Sequence, residues 1–329
     1  MASDAIDSGP TTTPLSGIHH VTSIAGDPQR NVDFCVGVLG LRLVKLTVNF
    51  DLPDTYHLYF GDAAGTPGTI LTIFPWPRVA RRRAGTGQVA VTAFTIPADS
   101  VGFWHDRLKR RGVELVGVER RFDDEVIGFA DADGLRYELV GVSRPPDDSP
   151  WQDGPVPAEH ALRGFHGVTL WEADFEPTAT ILTDLLDFRA LGEEGGRTRY
   201  TAGEGGPAAA VDVLVVPSAP RGDEGVGTVH HVAWRTRDDA SQRAWQERVA
   251  AFGLDVTPVR DREYFRSIYF REPGGVLFEI ATDPPGFTVD EPLAALGSGL
   301  KLPPWLEPQR ASIEQALPRL QPPPRFEMA

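Results

Sequence analysis

The sequence predicts an α+β fold of four βαβββ modules that pair with one another. Three observations carry this expectation. A strand, an amphipathic helix closing near a Leu-Gly or Phe-Gly step, and further strands recur at a spacing of roughly 65 to 75 residues, the signature of an internal repeat. Such a module cannot bury its sheet face alone, so modules must combine. The 329 residues suffice for about two domains with a sizeable core, which suits four modules taken in pairs.

In the first module, the apolar run Ile18–Ile24 reads as a strand and leads into a helix from about Asp27 to Val38, stopped by Gly40. Strands are expected near Leu41–Val48, Tyr56–Phe60 and Thr69–Phe74. The second module runs from Val89–Ile96 through a helix at Val101–Arg111 to Leu135–Val142. Pro and Asp residues from Arg144 to Pro157 read as a linker. The third module then runs from Gly164–Trp171 through Pro177–Leu186 to Ala209–Val216, and the fourth from Val229–Thr236 through Ser241–Phe252 to Val276–Ala281. The expected organisation is a loose tail over 1–14, modules one and two over 15–143, the linker over 144–162, modules three and four over 163–285, and a Pro-rich tail over 286–329. That last tail holds one short helix near Ala311–Leu317 and reads as packing across the halves or fraying.

A formal charge of −14 argues against nucleic acid or an anionic membrane as partner. The single cysteine, Cys35, excludes an intrachain disulfide and suits a reducing cytoplasm. It lies among Val32, Phe34, Val36 and Val38, where packing is its expected role. No run reaches the apolar length of a membrane span. The composition is silent on whether the chain forms a homo-oligomer.

Four of the eight histidines occur in two matching pairs, His19-His20 in Gly17–Thr22 and His230-His231 in Thr228–Ala233. A lone strand histidine is more often a hydrogen-bonded core residue than a ligand. Repetition of the dipeptide in the same context reverses that reading. Alternation along a strand lets one histidine of each pair face inward while its neighbour faces away. With Glu279, in Pro273–Glu279, the histidines supply the two-imidazole, one-carboxylate set of a non-haem Fe(II) facial triad.

The four modules, the paired histidines and the Pro273–Glu279 strand resemble the vicinal oxygen chelate superfamily of glyoxalases, bleomycin resistance proteins and extradiol dioxygenases. Within it, Gly17–Val21, Tyr56-His57-Leu58-Tyr59-Phe60, Gly65–Thr69 and Arg163–His166 resemble the ring-cleaving dioxygenases that act on hydroquinones. The resemblance covers nearly the whole chain, Gly17 to Leu320. It implies two open, barrel-like metal-chelate units, with ligands drawn from the first and last strands of each module. Overlaying the modules puts His20, Val91, Gly167 and His231 at the first position and Ile73, Glu138, Val215 and Glu279 at the second. Pairing the first module with the fourth then collects His20, His231 and Glu279 as metal ligands, whereas neighbours paired in sequence leave each site incomplete. His166 fails on register, because it aligns with His19 and His230, unless a bulge restores it.

The resemblance implies Fe(II), with Mn(II) an alternative, O2 as co-substrate, and a small aromatic diol opened with both oxygen atoms retained, as in the degradation of aromatic compounds. It assigns proton handling and substrate contact to His19, His230, Arg262 and Tyr269 as catalytic residues, the last two approaching from strands before Glu279. His57 is weighted toward structure, as are Asp212 and Glu138. Two other classes fit the same scaffold. One is another metal enzyme, such as a glyoxalase, isomerase or thiol transferase, which consumes no oxygen. The other is a metal-free small-molecule binding protein.

Overall fold

The computed structural model describes residues 12–146 and 150–321. Among these residues, sixteen strands fall into the four expected modules. The first holds β1 (Ile18–Ala25), β2 (Arg42–Asn49), β3 (Leu52–Gly61) and β4 (Ile70–Pro75). The second holds β5 (Gln88–Pro97), β6 (Glu114–Arg121), β7 (Asp124–Ala130) and β8 (Arg136–Val142), and the third β9 (Phe165–Glu172), β10 (Arg189–Glu194), β11 (Arg197–Thr201) and β12 (Ala210–Val215). The fourth holds β13 (Thr228–Thr236), β14 (Arg260–Asp261), β15 (Arg266–Arg271) and β16 (Leu277–Thr282).

Each first strand is followed by a helix. α1 (Pro28–Val32) continues into a π-helical turn over Asp33–Val38, α2 spans Val101–Arg110, α3 (Glu176–Thr180) continues into a π turn over Ile181–Leu185, and α4 spans Asp239–Ala251. α1 begins where the Asp27 carboxylate accepts from the Arg30 amide at 2.8 Å and Pro28 takes the first helical position. The segment stops at Gly40, whose φ of +72° is the left-handed C-terminal conformation expected there.

The modules pair across the chain. One eight-stranded sheet has the order β14-β15-β16-β13-β1-β4-β3-β2, so it joins modules one and four. The other has the order β10-β11-β12-β9-β5-β8-β7-β6 and joins modules two and three. In each, two first strands run antiparallel at the centre, β1 with β13 and β5 with β9. Buried aromatic side chains, among them Trp104, Phe165, Trp234 and Trp245, fill the core between helices and sheets.

The central strands do not alternate regularly at the histidine pairs. The β1–β13 register slips between Ile18 and His20 and again opposite His230, so His19 and His230 are extra residues in β-bulges. The expectation that neighbours face opposite ways fails there: the His19 and His20 rings lie 5.2 Å apart and those of His230 and His231 5.0 Å apart. The β5–β9 pair carries the same two slips, at Ala90 and at His166.

The C-terminal segment packs along the first module. Phe287 lies against Tyr59 and Tyr264, and the Tyr56 hydroxyl donates to the Pro318 carbonyl at 2.9 Å. α5 (Arg310–Ala316) is the short helix expected there. The expected N-terminal tail lies outside the described residues up to position 11, while Thr13 offers its carbonyl to the Trp245 indole at 3.0 Å.

Candidate metal centre and its pocket

His20 on β1, His231 on β13 and Glu279 on β16 meet on the concave face of the sheet formed by modules one and four. Their ligand atoms all lie within 4.8 Å of one another, and all three residues are buried. The two Nε2 atoms approach to 3.2 Å, and Glu279 Oε2 lies 2.9 Å from that of His231 and 3.3 Å from that of His20. Oε2 is nevertheless fully buried without a well-directed hydrogen bond. Three ligand atoms crowded this closely, with Oε2 left without a directed hydrogen bond, converge on a shared centre, which a cation fits. Burial alone would raise the Glu279 carboxyl, but the two histidines outweigh it and hold the group well below the usual carboxylate range. The other oxygen, Oε1, accepts from the Ser267 hydroxyl on the neighbouring strand.

The bulges give each imidazole a partner. His20 Nδ1 lies 3.0 Å from His19 Nδ1, and His231 Nδ1 lies 2.7 Å from His230 Nδ1. With Nε2 turned to the centre, Nδ1 of each inner ring carries the proton and donates it outward, fixing tautomer and ring angle together. Burial, then the neighbouring ring, lowers both outer histidines: His19 well below its ordinary value and His230 to about 4. Both therefore stay neutral and can accept.

A cavity of about 130 Å³ opens beside this cluster. His20, His231, His230, Arg262 and Tyr269 line it, with Phe74 and Trp76 stacked as an aromatic wall at 5.4 Å. His19 is not at the cavity surface; it packs against Phe265 at 5.0 Å. Tyr269 stands directly across from Glu279 on β15, and burial raises its phenol well above the usual range. Arg262 does not sit on a strand. It lies in the turn just after β14, donating to the Tyr269 hydroxyl at 3.2 Å and to Asp51 at 3.0 Å. Sequence reasoning set aside the residues of the adjoining wall: Thr22, His57 and Tyr59 also line the cavity. The family string around His57 was the signal, but the face of its strand was not readable.

The register also corrects the overlay of second positions. Val232 pairs with Phe278 and Val21 with Leu71, so the counterpart of Glu279 on β4 is Thr72, not Ile73. Val168 pairs with Val211, which makes Asp212 the counterpart on β12, not Val215. Glu138 on β8 keeps its assigned place. The second sheet thus holds two carboxylates where the first holds Thr72 and Glu279. Both are clamped: Glu138 takes two hydrogen bonds of 3.0 Å from Arg121, and Asp212 takes 2.7 and 2.9 Å bonds from Arg199. His166 lies at the bulge with Nε2 unpartnered, and Gly167 follows it. A Cβ at Gly167 would stand 2.2 Å from the Ala210 carbonyl oxygen, so this backbone admits no side chain at that ligand position.

A fold of paired βαβββ modules, with a buried two-histidine, one-glutamate cluster beside an aromatic cavity, defines a vicinal-oxygen-chelate type of enzyme. Residues 17–139 and 164–280 match the model of the Glyoxalase/Bleomycin resistance protein/Dioxygenase superfamily. The chain is 47% identical to the provisionally named ring-cleaving dioxygenase MhqO of Bacillus subtilis over 92% of this chain and 95% of that one. It is 36% identical to the chlorohydroquinone/hydroquinone 1,2-dioxygenase of Sphingobium indicum over 89% of this chain and 93% of that one. The crystal structure of a provisionally named dioxygenase from B. subtilis superposes with a TM-score of 0.90 at 45% identity, covering 94% and 98% of the two chains. The chain belongs to this superfamily, among its ring-cleaving dioxygenases.

Proposed function

We propose that the protein cleaves the ring of a hydroquinone-type diol with O2, using Fe(II) held by His20, His231 and Glu279. The observation that carries this reading is the convergence of those three buried donors on the wall of an aromatic cavity. At about 130 Å³ the cavity suits a single-ring ligand, well below the roughly 300–1,000 Å³ of pockets that take drug-sized molecules. Held by His20, His231 and Glu279, Fe(II) would supply the electron-transfer chemistry that lets dioxygen react with an aromatic diol.

The protein's own groups divide the remaining work. His19 and His230 hold the Nδ1 protons of the inner imidazoles and so fix their Nε2 atoms inward. Arg262, anchored by Asp51, places a permanent positive charge where negative charge develops on the substrate oxygen. Tyr269 accepts from Arg262 through its phenol oxygen and stands at the cavity wall, where its hydroxyl proton is placed to serve a ligand oxygen. Phe74 and Trp76 flank the ring and exclude water.

Anaerobic Fe(II) loading followed by oxygen-electrode assays on hydroquinones and catechols tests this. Iron-dependent uptake of one O2 per hydroquinone is expected. Absence of uptake with every diol would reject the reading and return attention to isomerase or thiol-transfer chemistry.

A further inference from the structure

Four polar side chains form an unbroken row across β1, β4 and β3, beside the centre. Thr22 Oγ1 lies 2.8 Å from Thr72 Oγ1, Thr72 Oγ1 lies 2.9 Å from His57 Nε2, and His57 Nδ1 lies 2.9 Å from the Tyr59 hydroxyl. Strand pairing explains the row, since Thr72 stands beside Thr22 and opposite Tyr59, while His57 and Tyr59 share a face of β3 two residues apart. Thr72 occupies the position that mirrors Glu279, so this row takes the place of a fourth protein ligand. Thr22 and Thr72 are fully buried. Phe74 packs on the His57 ring at 4.4 Å and fixes its plane.

Donor accounting gives the row a direction. Each hydroxyl has one proton, and a neutral imidazole has one N–H. Burial, then His20, holds His57 well below its ordinary range, so the ring is neutral. Two orders are possible, one ending on a free Tyr59 proton and one on a free Thr22 proton. A phenol is a stronger donor and a poorer acceptor than an alkyl hydroxyl. The favoured order therefore has Tyr59 donating to Nδ1, Nε2–H donating to Thr72, and Thr72 donating to Thr22. Thr22 then carries the one proton without a partner in the row, at the cavity wall two residues from His20.

We propose that His57, with Tyr59 and Thr72, is a positioning residue that turns the Thr22 hydroxyl into a fixed hydrogen-bond donor to the oxygen of the bound substrate. The proposal rests on reading the cavity as the substrate site. It assigns the His57 string a purpose beyond packing, and no proton need leave His57.

Two measurements on the full-length protein test it. The first is the ¹⁵N tautomer of His57, recorded with and without diamagnetic Zn(II) and assigned by the signals lost in His57→Gln. The Nε2–H form is expected in the wild type and in Thr72→Ser, with the preference lost in Thr72→Val. A wild-type Nδ1–H form would overturn the proposal, as would a tautomer indifferent to Thr72→Val. This readout needs neither substrate nor oxygen, so it stands whether or not the dioxygenase reading does. The second is turnover of iron-loaded Thr72→Val, expected to fall in kcat by roughly 10- to 100-fold, the worth of one hydrogen bond to a charged group. Iron content should stay unchanged and Thr72→Ser should restore the rate. Wild-type kcat in Thr72→Val, or no rescue by serine, would overturn it.

Discussion

The two eight-stranded sheets have the same strand order, the same antiparallel centre and the same pair of bulges, yet among the described residues only one gathers a set of two histidines and a carboxylate that could hold a metal. Four positions make the difference. The sheet of modules one and four presents His20, Thr72, His231 and Glu279; the sheet of modules two and three presents Val91, Glu138, Gly167 and Asp212. In the second sheet positive charge is supplied from within, by Arg121 on Glu138 and Arg199 on Asp212. In the first sheet no arginine or lysine pairs with Glu279 among the described residues; the groups against it are two neutral-capable imidazoles and a serine hydroxyl. The same scaffold keeps its carboxylate available to a metal only where its own cations have not already answered it.

The contrast can be broken most severely at Glu279. Glu279→Ala should release the metal and abolish ring cleavage, and His231→Ala should do the same. Metal analysis beside oxygen uptake checks both, and full activity in either would end the assignment. Tyr269→Phe should leave the metal in place while turnover falls on the order of 10²- to 10⁴-fold, the usual loss of a general acid. Loss of iron in that variant would move Tyr269 into direct coordination.

In the second sheet the expected effect is on stability. Arg121→Met strands Glu138, only 8% exposed, and should cost about 3–5 kcal/mol in denaturant unfolding with iron content unchanged. Replacing both partners, Arg121→Met with Glu138→Leu, should recover most of that loss. A double variant as unstable as the single one would show that the pair does more than satisfy its own charge.

The smallest expected effect lies near the junction of the sheets. Glu172, at the end of β9, is fully buried with both carboxylate oxygens unpartnered. Burial, then the Glu272 charge, raises it from 4.5 to about 8. The folded chain therefore binds this proton more tightly than the unfolded one. Its stabilising share is complete below about pH 4.5 and shrinks as pH rises toward 8. Glu172→Gln should flatten the fall of the thermal midpoint across that window; an unchanged slope would remove Glu172 as its source.

Much of this arrangement is legible in the sequence. The helices α1 to α4 and the strands that open and close each module show through apolar periodicity, because each buries a face. The repeat of His19-His20 as His230-His231 is what implies pairing across the chain, since neither neighbouring pair of modules collects two histidines. The outer strands β6 and β10 were not individually placed, because their residues are mostly exposed, with Val116 and Leu191 at 70% and 58%. Bulges defeat sequence alignment most. One extra residue at His19 and another at His230 turn neighbouring rings together, and miscounting the last strand by one or by three residues hid Thr72 and Asp212. The face of β3 that carries His57 and Tyr59 became readable only through its pairing with β4.

The central claim is that one metal centre is assembled from the two ends of the chain, by modules one and four. Iron bound per chain, measured after anaerobic loading of full-length His20→Ala and His166→Ala side by side, tests it most directly. The account predicts that His20→Ala loses the iron and His166→Ala keeps one per chain. Iron retained without His20 and lost without His166 would contradict it and place the centre in the carboxy-terminal half.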